Sequence, residues 1–385
     1  MADRKLVANG HLMRVGEQWP IGWILVENGQ IIEIEAGNAP RLDDVQMIDA
    51  SGHYMVPGFI DMHAHGAAGY STLDGTRESL CMIAQHYATH GTTAFLPTLE
   101  TASSEQTMAA LKAVADMLGK STGGAAILGA HLEGPYFNPA KSGAQDSLYI
   151  RRADRAEAEA FMDTGVVRLI ALAPEYPENQ WLIEEASRRG IVVAAGHTVA
   201  GAEDIAKAVR LGLRQATHTF NAMVGLHHRN PGTVGAVMAE RAIYCELIAD
   251  GHHVHPVAME VLVRAKGLDR VIIITDAVPE AGLPEGVYNG HGRTVVVKED
   301  RIQMTDGTLA GAACMMDHNL RQIMAAAKLS LAEAWPLTSL NAATQLGIDN
   351  RKGKLAEGYD ADLVLLDQNY HVALTMVGGH TVFKA

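Results

Sequence analysis

Six side chains in this sequence have the types and placing to hold metal: His63, His65, Glu133, His197, His218 and Asp276. His63 and His65 are two apart in Phe59-Ile60-Asp61-Met62-His63-Ala64-His65. On extended backbone both project to the same side, so two imidazoles can grip one ion. Imidazole and carboxylate without thiolate suit Zn²⁺, Fe²⁺ or Mn²⁺. Two ions would need roughly this many ligands, with a carboxylate such as Glu133 bridging them. A single histidine at a strand end is an ordinary hydrogen-bonded residue. The joint pattern, in which five strand ends each carry His, Glu or Asp, is what points to metal chemistry.

Those strand ends follow from the apolar rhythm of the middle of the chain. Short apolar runs recur at Ala125 to Ala130, Val167 to Ala173, Ile191 to Ala195 and Val271 to Thr275. Helical patterns lie between them, including Glu105 to Leu118, Ala202 to Leu211 and His318 to Ala327. Apolar runs buried on both faces and alternating with helices signal a parallel sheet. At least six such units favour a closed α/β (β/α)8 barrel, whose chemistry sits where strands end and loops begin. No GxGxxG follows the first strand, which argues against dinucleotide binding. The two ends read differently. Trp23 to Val26, the turn Glu27-Asn28-Gly29 and Gln30 to Ile34 form a hairpin pattern, and strand patterns return at Ala361 to Asp367, His371 to Leu374 and Thr381 to Phe383. The expected division is a small β-sandwich from residues 1–56 plus 355–385, and a barrel from 57–354.

Composition bounds the partners. The 385 residues are 48% hydrophobic, enough for a sizeable core, and carry a net charge of −13. That charge argues against nucleic acid and anionic membrane. No apolar stretch approaches the ~18 residues of a membrane helix, and Met1 to Gly16 does not read as a signal peptide. Three cysteines, Cys81, Cys245 and Cys314, make no disulfide framework, so a reducing, cytoplasmic location is expected. Thirteen of the eighteen histidines fall between His53 and His255, all but His53 within the predicted barrel.

The run Pro57 to Gly66 resembles the start of an amidohydrolase-superfamily barrel. His131-Leu132-Glu133-Gly134-Pro135-Tyr136-Phe137, Gly196-His197-Thr198, His218 to Met223, Arg229-Asn230-Pro231-Gly232, Asp250-Gly251-His252-His253 and Thr275-Asp276-Ala277 resemble the N-acetylglucosamine-6-phosphate deacetylase family. Asn341-Ala342-Ala343 and Gly358 to Leu363 fit the same family, so the match runs along nearly the whole chain.

The resemblance implies roles. Glu133, His197 and His218 match the primary metal ligands, and His63 and His65 match a second pair that some members keep. One or two divalent ions per subunit are implied, Zn²⁺ or Fe²⁺ above Mn²⁺ or Co²⁺. Asp276 matches the catalytic carboxylate. Asn221, the backbone at Ala222, His253 and the backbone near Ala310 and Gly311 match substrate contacts. Arg229 matches a phosphate-binding arginine that reaches across a homodimer interface. The substrate implied is a small amino-sugar phosphate. Gln145 departs from the family, standing where many members have a histidine on the acetamide carbonyl. It can donate a hydrogen bond but supplies no positive charge.

His227 and His228 are candidates for the phosphate or dimer region, with loop polarity as the alternative; His252 and His255 read as loop or supporting residues. His53, His86, His90, His131, His291 and His318 read as structural. His11, His371 and His380 read as incidental to the β domain, and Met315 and Met316 as packing. Three other functions compete: a deacetylase for the galactosamine epimer, a cyclic-amide hydrolase, and a metal-free binding barrel. The second would use a carboxylated lysine, and no lysine ends a predicted strand. The third need not keep the full ligand set.

Overall fold

The computed structural model describes residues 4–15, 17–18, 21–290 and 293–385. His291 lies outside them.

Eight parallel strands build the barrel: β1 (Phe59–Ala64), β2 (Thr92–Leu99), β3 (Ala130–Glu133), β4 (Val167–Leu172), β5 (Val192–Ala195), β6 (Gln215–Ala216), β7 (Tyr244–Ile248) and β8 (Val271–Ile274). Each pairs in parallel with the next. Past the end of β8 the ring closes: Asp276 N–H donates to the His63 carbonyl at 2.9 Å and His65 N–H to that of Ala277 at 2.8 Å. Strands β1, β2, β3, β7 and β8 are buried along their whole length. That double-sided burial is why β8 appears in the sequence as an unbroken apolar run. The helices Ser104–Met117, Ala202–Leu211 and Met316–Ala327 fall where their periodicity predicts them.

One predicted strand is broken. The run Ala125 to Ala130 gives only Ala126–Ile127 before β3 begins. Gly129, at φ +139°, separates the two pieces, and a Cβ there would come within 2.3 Å of Arg168 Cγ.

The chain ends combine as expected into one mixed sheet, in the order His380–Lys384, Val372–Val377, Leu363–Leu366, Tyr54–Pro57, Arg4–Arg14, Gly22–Glu27 and Gln30–Ala36; Tyr54–Pro57 and Arg4–Arg14 pair in parallel, and the other neighbours in this order are antiparallel. The long strand Arg4–Arg14 shifts register between Ala8 and Gly10, with Asn9 at φ 69°. Such a bulge bends a strand and lets its halves serve different layers. Val7, Leu12, Ile24, Ile31, Met55, Leu365 and Met376 pack into a core of their own. The hairpin turn is Asn28-Gly29, both at positive φ (51° and 83°), as a two-residue primed turn requires.

A third sheet has no counterpart in the sequence reading. Gly286–Gly290, Arg293–Lys298, Arg301–Met304 and Leu309–Ala312 form an antiparallel meander after β8. Its last strand lies beside the end of β8, through the bridge Ala277–Ala312. Gly311 makes this approach possible: a Cβ there would stand 2.2 Å from Val278 Cγ1 and 3.0 Å from the Asp276 carbonyl. Among the described residues, no helix is long and apolar enough to cross a membrane.

Candidate metal centre and active-site cavity

All six proposed ligands gather at the C-terminal mouth of the barrel. His63 lies in β1 with His65 just past its end, Glu133 ends β3, and His197, His218 and Asp276 follow β5, β6 and β8. His197, His218 and Asp276 have φ of 45°, 28° and 55°. Non-glycine residues in this region cost about 1–3 kcal/mol each, and such strain concentrates at functional sites. Here it turns side chains inward where each strand ends.

Glu133 is the hub. Its Oε1 lies 3.0 Å from His218 Nε2, 3.2 Å from His197 Nε2 and 3.5 Å from His63 Nε2; its Oε2 lies 3.3 Å from His65 Nε2. Asp276 Oδ1 stands 3.3 Å from His63 Nε2 and 3.2 Å from His65 Nε2. Two groups result, His63–His65–Glu133 and Glu133–His197–His218, all buried.

These contacts suit an ion better than direct bonding. His197 Nδ1 is 2.7 Å from the Lys141 carbonyl and His63 Nδ1 is 3.0 Å from Glu246. Both Nδ1 atoms must therefore donate, leaving lone pairs on Nε2. Yet the Nε2 atoms of His197 and His218 face each other at 3.1 Å, as do those of His63 and His65. The Nδ1 atoms of His65 and His218 are buried without a hydrogen-bond partner among the described residues, and a cation between the rings would take a lone pair from each Nε2. Ligands about 2.0–2.1 Å from a tetrahedral ion stand roughly 3.3 Å apart, which matches the spacings here. The residues present therefore fit a divalent metal.

Local electrostatics agree. Burial opposes protonation of His65, but Asp276 and Glu133 overcome it and hold its pKa at about 9. For His63 burial is likewise outweighed, by Asp276, Glu133 and Glu246. Burial would raise both carboxyl groups, but His63 and its neighbours keep Glu133 and Asp276 well below the usual range. The site attracts cations. His131 packs edge-on to His63, with ring centroids 4.7 Å apart, and burial together with the charge of His63 pushes its pKa down.

A cavity of about 270 Å³ opens over the cluster. Gln145, Asn221, Ala222, His253, Ala310 and Gly311, all substrate contacts by resemblance, line it. His253 Nδ1 is 2.6 Å from Asp250 Oδ2; burial would lower its pKa, but Asp250 raises it. Gln145 differs from expectation, since its amide is engaged within the protein. Its Nε2 donates to Glu133, and its Oε1 accepts from Thr101 N–H at 2.7 Å. Arg229 does not reach the cavity of its own chain. It is exposed beside His228, with Nη1 2.8 Å from that ring, and His227 and His228 are exposed with it. His252 contacts Arg301, and His255 caps the helix Pro256–Lys266.

Sequence reasoning missed four residues here: Glu100 and Arg293, which pair at 3.4 Å and line the cavity, and Asp250 and Glu246. Aspartate three residues before His253 was visible as a potential partner. Glu246 was visible as a lone carboxylate inside an apolar strand, a position that demands buried partners.

The amidohydrolase family model matches residues 54–382. An N-acetylglucosamine-6-phosphate deacetylase from Lysinibacillus sphaericus is 37% identical over 358 residues, covering 92% of each chain. The chain belongs to the N-acetylglucosamine-6-phosphate deacetylase family of amidohydrolases. An N-acetylgalactosamine-6-phosphate deacetylase from Escherichia coli O157:H7 is 35% identical, over 87% of this chain and 89% of its own. Among solved structures, a mutant N-acetyl-D-glucosamine-6-phosphate deacetylase from Mycobacterium smegmatis, in complex with N-acetyl-D-glucosamine-6-phosphate, matches at a TM-score of 0.93. It is 28% identical, and the match covers 99% of this chain and 100% of that one. The (β/α)8 fold expected from the apolar rhythm is thus shared with deacetylases of this family.

Proposed function

We propose that this amidohydrolase removes the N-acetyl group of N-acetyl-D-glucosamine 6-phosphate, giving D-glucosamine 6-phosphate and acetate. The observation that carries the reading is Glu133, shared by two buried imidazole pairs and facing Asp276 at the floor of a sugar-sized cavity. In this reading His63, His65, Glu133, His197, His218 and Asp276 hold one or two divalent ions. Zn²⁺ or Fe²⁺ are proposed, with Mn²⁺ and Co²⁺ as substitutes. Such ions supply Lewis acidity and bring the pKa of water near 7.

The chain's own residues then divide the work. Asp276, kept ionised by its histidine neighbours, takes the proton of the attacking water and delivers it to the departing amine nitrogen. His253, fixed through Nδ1 by Asp250, turns Nε2 to the cavity and donates to the oxygen on which charge develops. Gln145 holds Glu133 in place, and its amide is a further candidate donor to the carbonyl oxygen. Asn221, the backbone of Ala222 and the segment Ala310–Gly311 hold the sugar. Arg229 binds phosphate in the neighbouring subunit of a homodimer; its exposure outside its own cavity supports that assignment. The division into 1–56 with 355–385, and 57–354, and a cytoplasmic location consistent with three free cysteines, belong to the same reading.

Acetate release from the 6-phosphates of N-acetylglucosamine and N-acetylgalactosamine, measured side by side on metal-loaded protein, tests it. The gluco substrate should have the higher kcat/KM. A higher value for the galacto epimer would reassign the substrate. No acetate from either would overturn the proposal.

A further inference from the structure

Among the buried carboxylates that this reaction does not use, Glu246 stands directly behind the imidazole cluster. Glu246 sits in the middle of β7, on the same face as Tyr244 and Ile248, and is fully buried. Its Oε2 lies 3.0 Å from His63 Nδ1 and accepts from the His218 backbone N–H at 3.0 Å. Its Oε1 accepts from Gln215 Nε2 at 2.5 Å. Burying a carboxylate costs several kcal/mol unless donors surround it, and here three do.

What those donors belong to gives the residue its meaning. One oxygen of Glu246 joins a member of each imidazole pair: the ring of His63 and the backbone of His218. Since His63 Nδ1 donates to Glu246, its Nε2 lone pair is aimed between His65, Glu133 and Asp276. His65 has no equivalent anchor, for its Nδ1 is buried without a hydrogen-bond partner among the described residues. The orientation of the His63–His65–Glu133 group is therefore set from the His63 side. A carboxylate behind a ligating imidazole fixes the ring and makes its free nitrogen a stronger ligand.

We infer that Glu246 is a positioning residue that turns His63–His65–Glu133 into a cation site, and so decides whether a second ion is held. The inference rests on reading the two groups as a metal centre and is independent of which amide is cleaved.

The test is Glu246→Gln, titrated with Zn²⁺ in a graded zinc buffer, with ions per chain counted by elemental analysis. The variant keeps the shape of the side chain, but one oxygen and one NH₂ cannot accept from three donors. Wild-type protein should hold two ions. In E246Q the weaker should bind about 10–100-fold less tightly, the usual loss when such a partner is removed, while the tighter ion stays. In a His63→Asn background, adding E246Q should change zinc binding no further, because its effect runs through the His63 ring. If the glutamine variant is not recovered folded, Glu246→Asp keeps the charge with a shorter reach and should show the same selective weakening. Unchanged binding of both ions, equal weakening of both, or a single ion in the wild type would each overturn the inference. If wild-type protein holds two ions but releases acetate from neither sugar, the proposed function fails and this inference stands.

Discussion

Asp276→Asn should lower kcat by about 10²–10⁴, the usual contribution of a positioned general acid–base. The structure makes this substitution unusually clean. Asp276 has φ 55°, a conformation that asparagine tolerates nearly as well as aspartate. Its backbone N–H closes the barrel on the His63 carbonyl, and that bond does not involve the side chain. The variant therefore keeps the fold and the shape of the site. What it loses is a negative charge 3.2–3.3 Å from two imidazoles and the capacity to take a proton. At 1.36 kcal/mol per decade, the expected loss is about 3–5 kcal/mol of transition-state stabilisation. Glu133, His197 and His218 form a complete group without Asp276, so the variant should still load metal there. KM should move less than kcat, because Asn221 and His253 are untouched. The assay is acetate release at saturating substrate, with metal counted on the same sample. A metal-replete variant whose kcat stays within about threefold of wild type would refute the role, since that lies far below the general acid–base range.

Asp250→Asn should move the alkaline limb of kcat/KM to lower pH. Asp250 holds the His253 pKa up, so without it the ring loses its proton earlier as pH rises; an unchanged profile would detach His253 from the reaction. Gly311→Ala should cut kcat about 100-fold, the scale for a shift of about 1 Å near the chemistry, because the new Cβ collides with Val278 beside Asp276; near-normal kcat would show that this wall yields freely. Arg229→Ala should raise KM for the phosphorylated substrate about 10–100-fold, the range for a lost hydrogen bond to a charged group, and unchanged KM would end its phosphate role. Lys352→Met should destabilise the fold by about 3–5 kcal/mol in urea unfolding. It strips the cation from Asp362 and Asp360, which approach Lys352 Nζ at 2.5 and 2.9 Å in a nearly buried cluster; a loss under 1 kcal/mol would show that water reaches those carboxylates.

The barrel was legible because its strands are buried on both faces, so burial wrote itself as apolar runs at β4, β5 and β8. The exceptions have local causes. Strand β6 is only Gln215–Ala216, too short for any periodicity, and was marked only by the histidine that follows it. The meander from Gly286 to Ala312 went unread. Its strands are half-exposed, with burial alternating along Arg293–Lys298, and so lack the apolar runs that reveal the barrel. Turn signals at Glu299-Asp300 and Asp306-Gly307 were nevertheless present. Missing that sheet meant missing Arg293, the arginine that stands in the cavity of its own chain.

The ligands themselves were legible because a strand end fixes both the position of a side chain and the direction it faces. What escaped were residues that act through another residue. Glu246 lies within Tyr244-Cys245-Glu246-Leu247-Ile248, a run that reads as core. Its partners, His63 and Gln215, stand 183 and 31 residues away in sequence; Gln215 comes beside it when β6 pairs with β7, and His63 only when the barrel forms. A linear reading can register that this carboxylate needs donors, but not which donors it finds. The acidic balance of the chain takes on a similar local sense. A net charge of −13 opposes an anionic substrate at long range, yet that range is about 10 Å or less at physiological salt. Within it the field is set by the cations that Glu133, Asp276 and Glu246 draw to the imidazoles. The buried carboxylates are thus what makes room for positive charge at the floor of the cavity, and through it for a phosphorylated sugar.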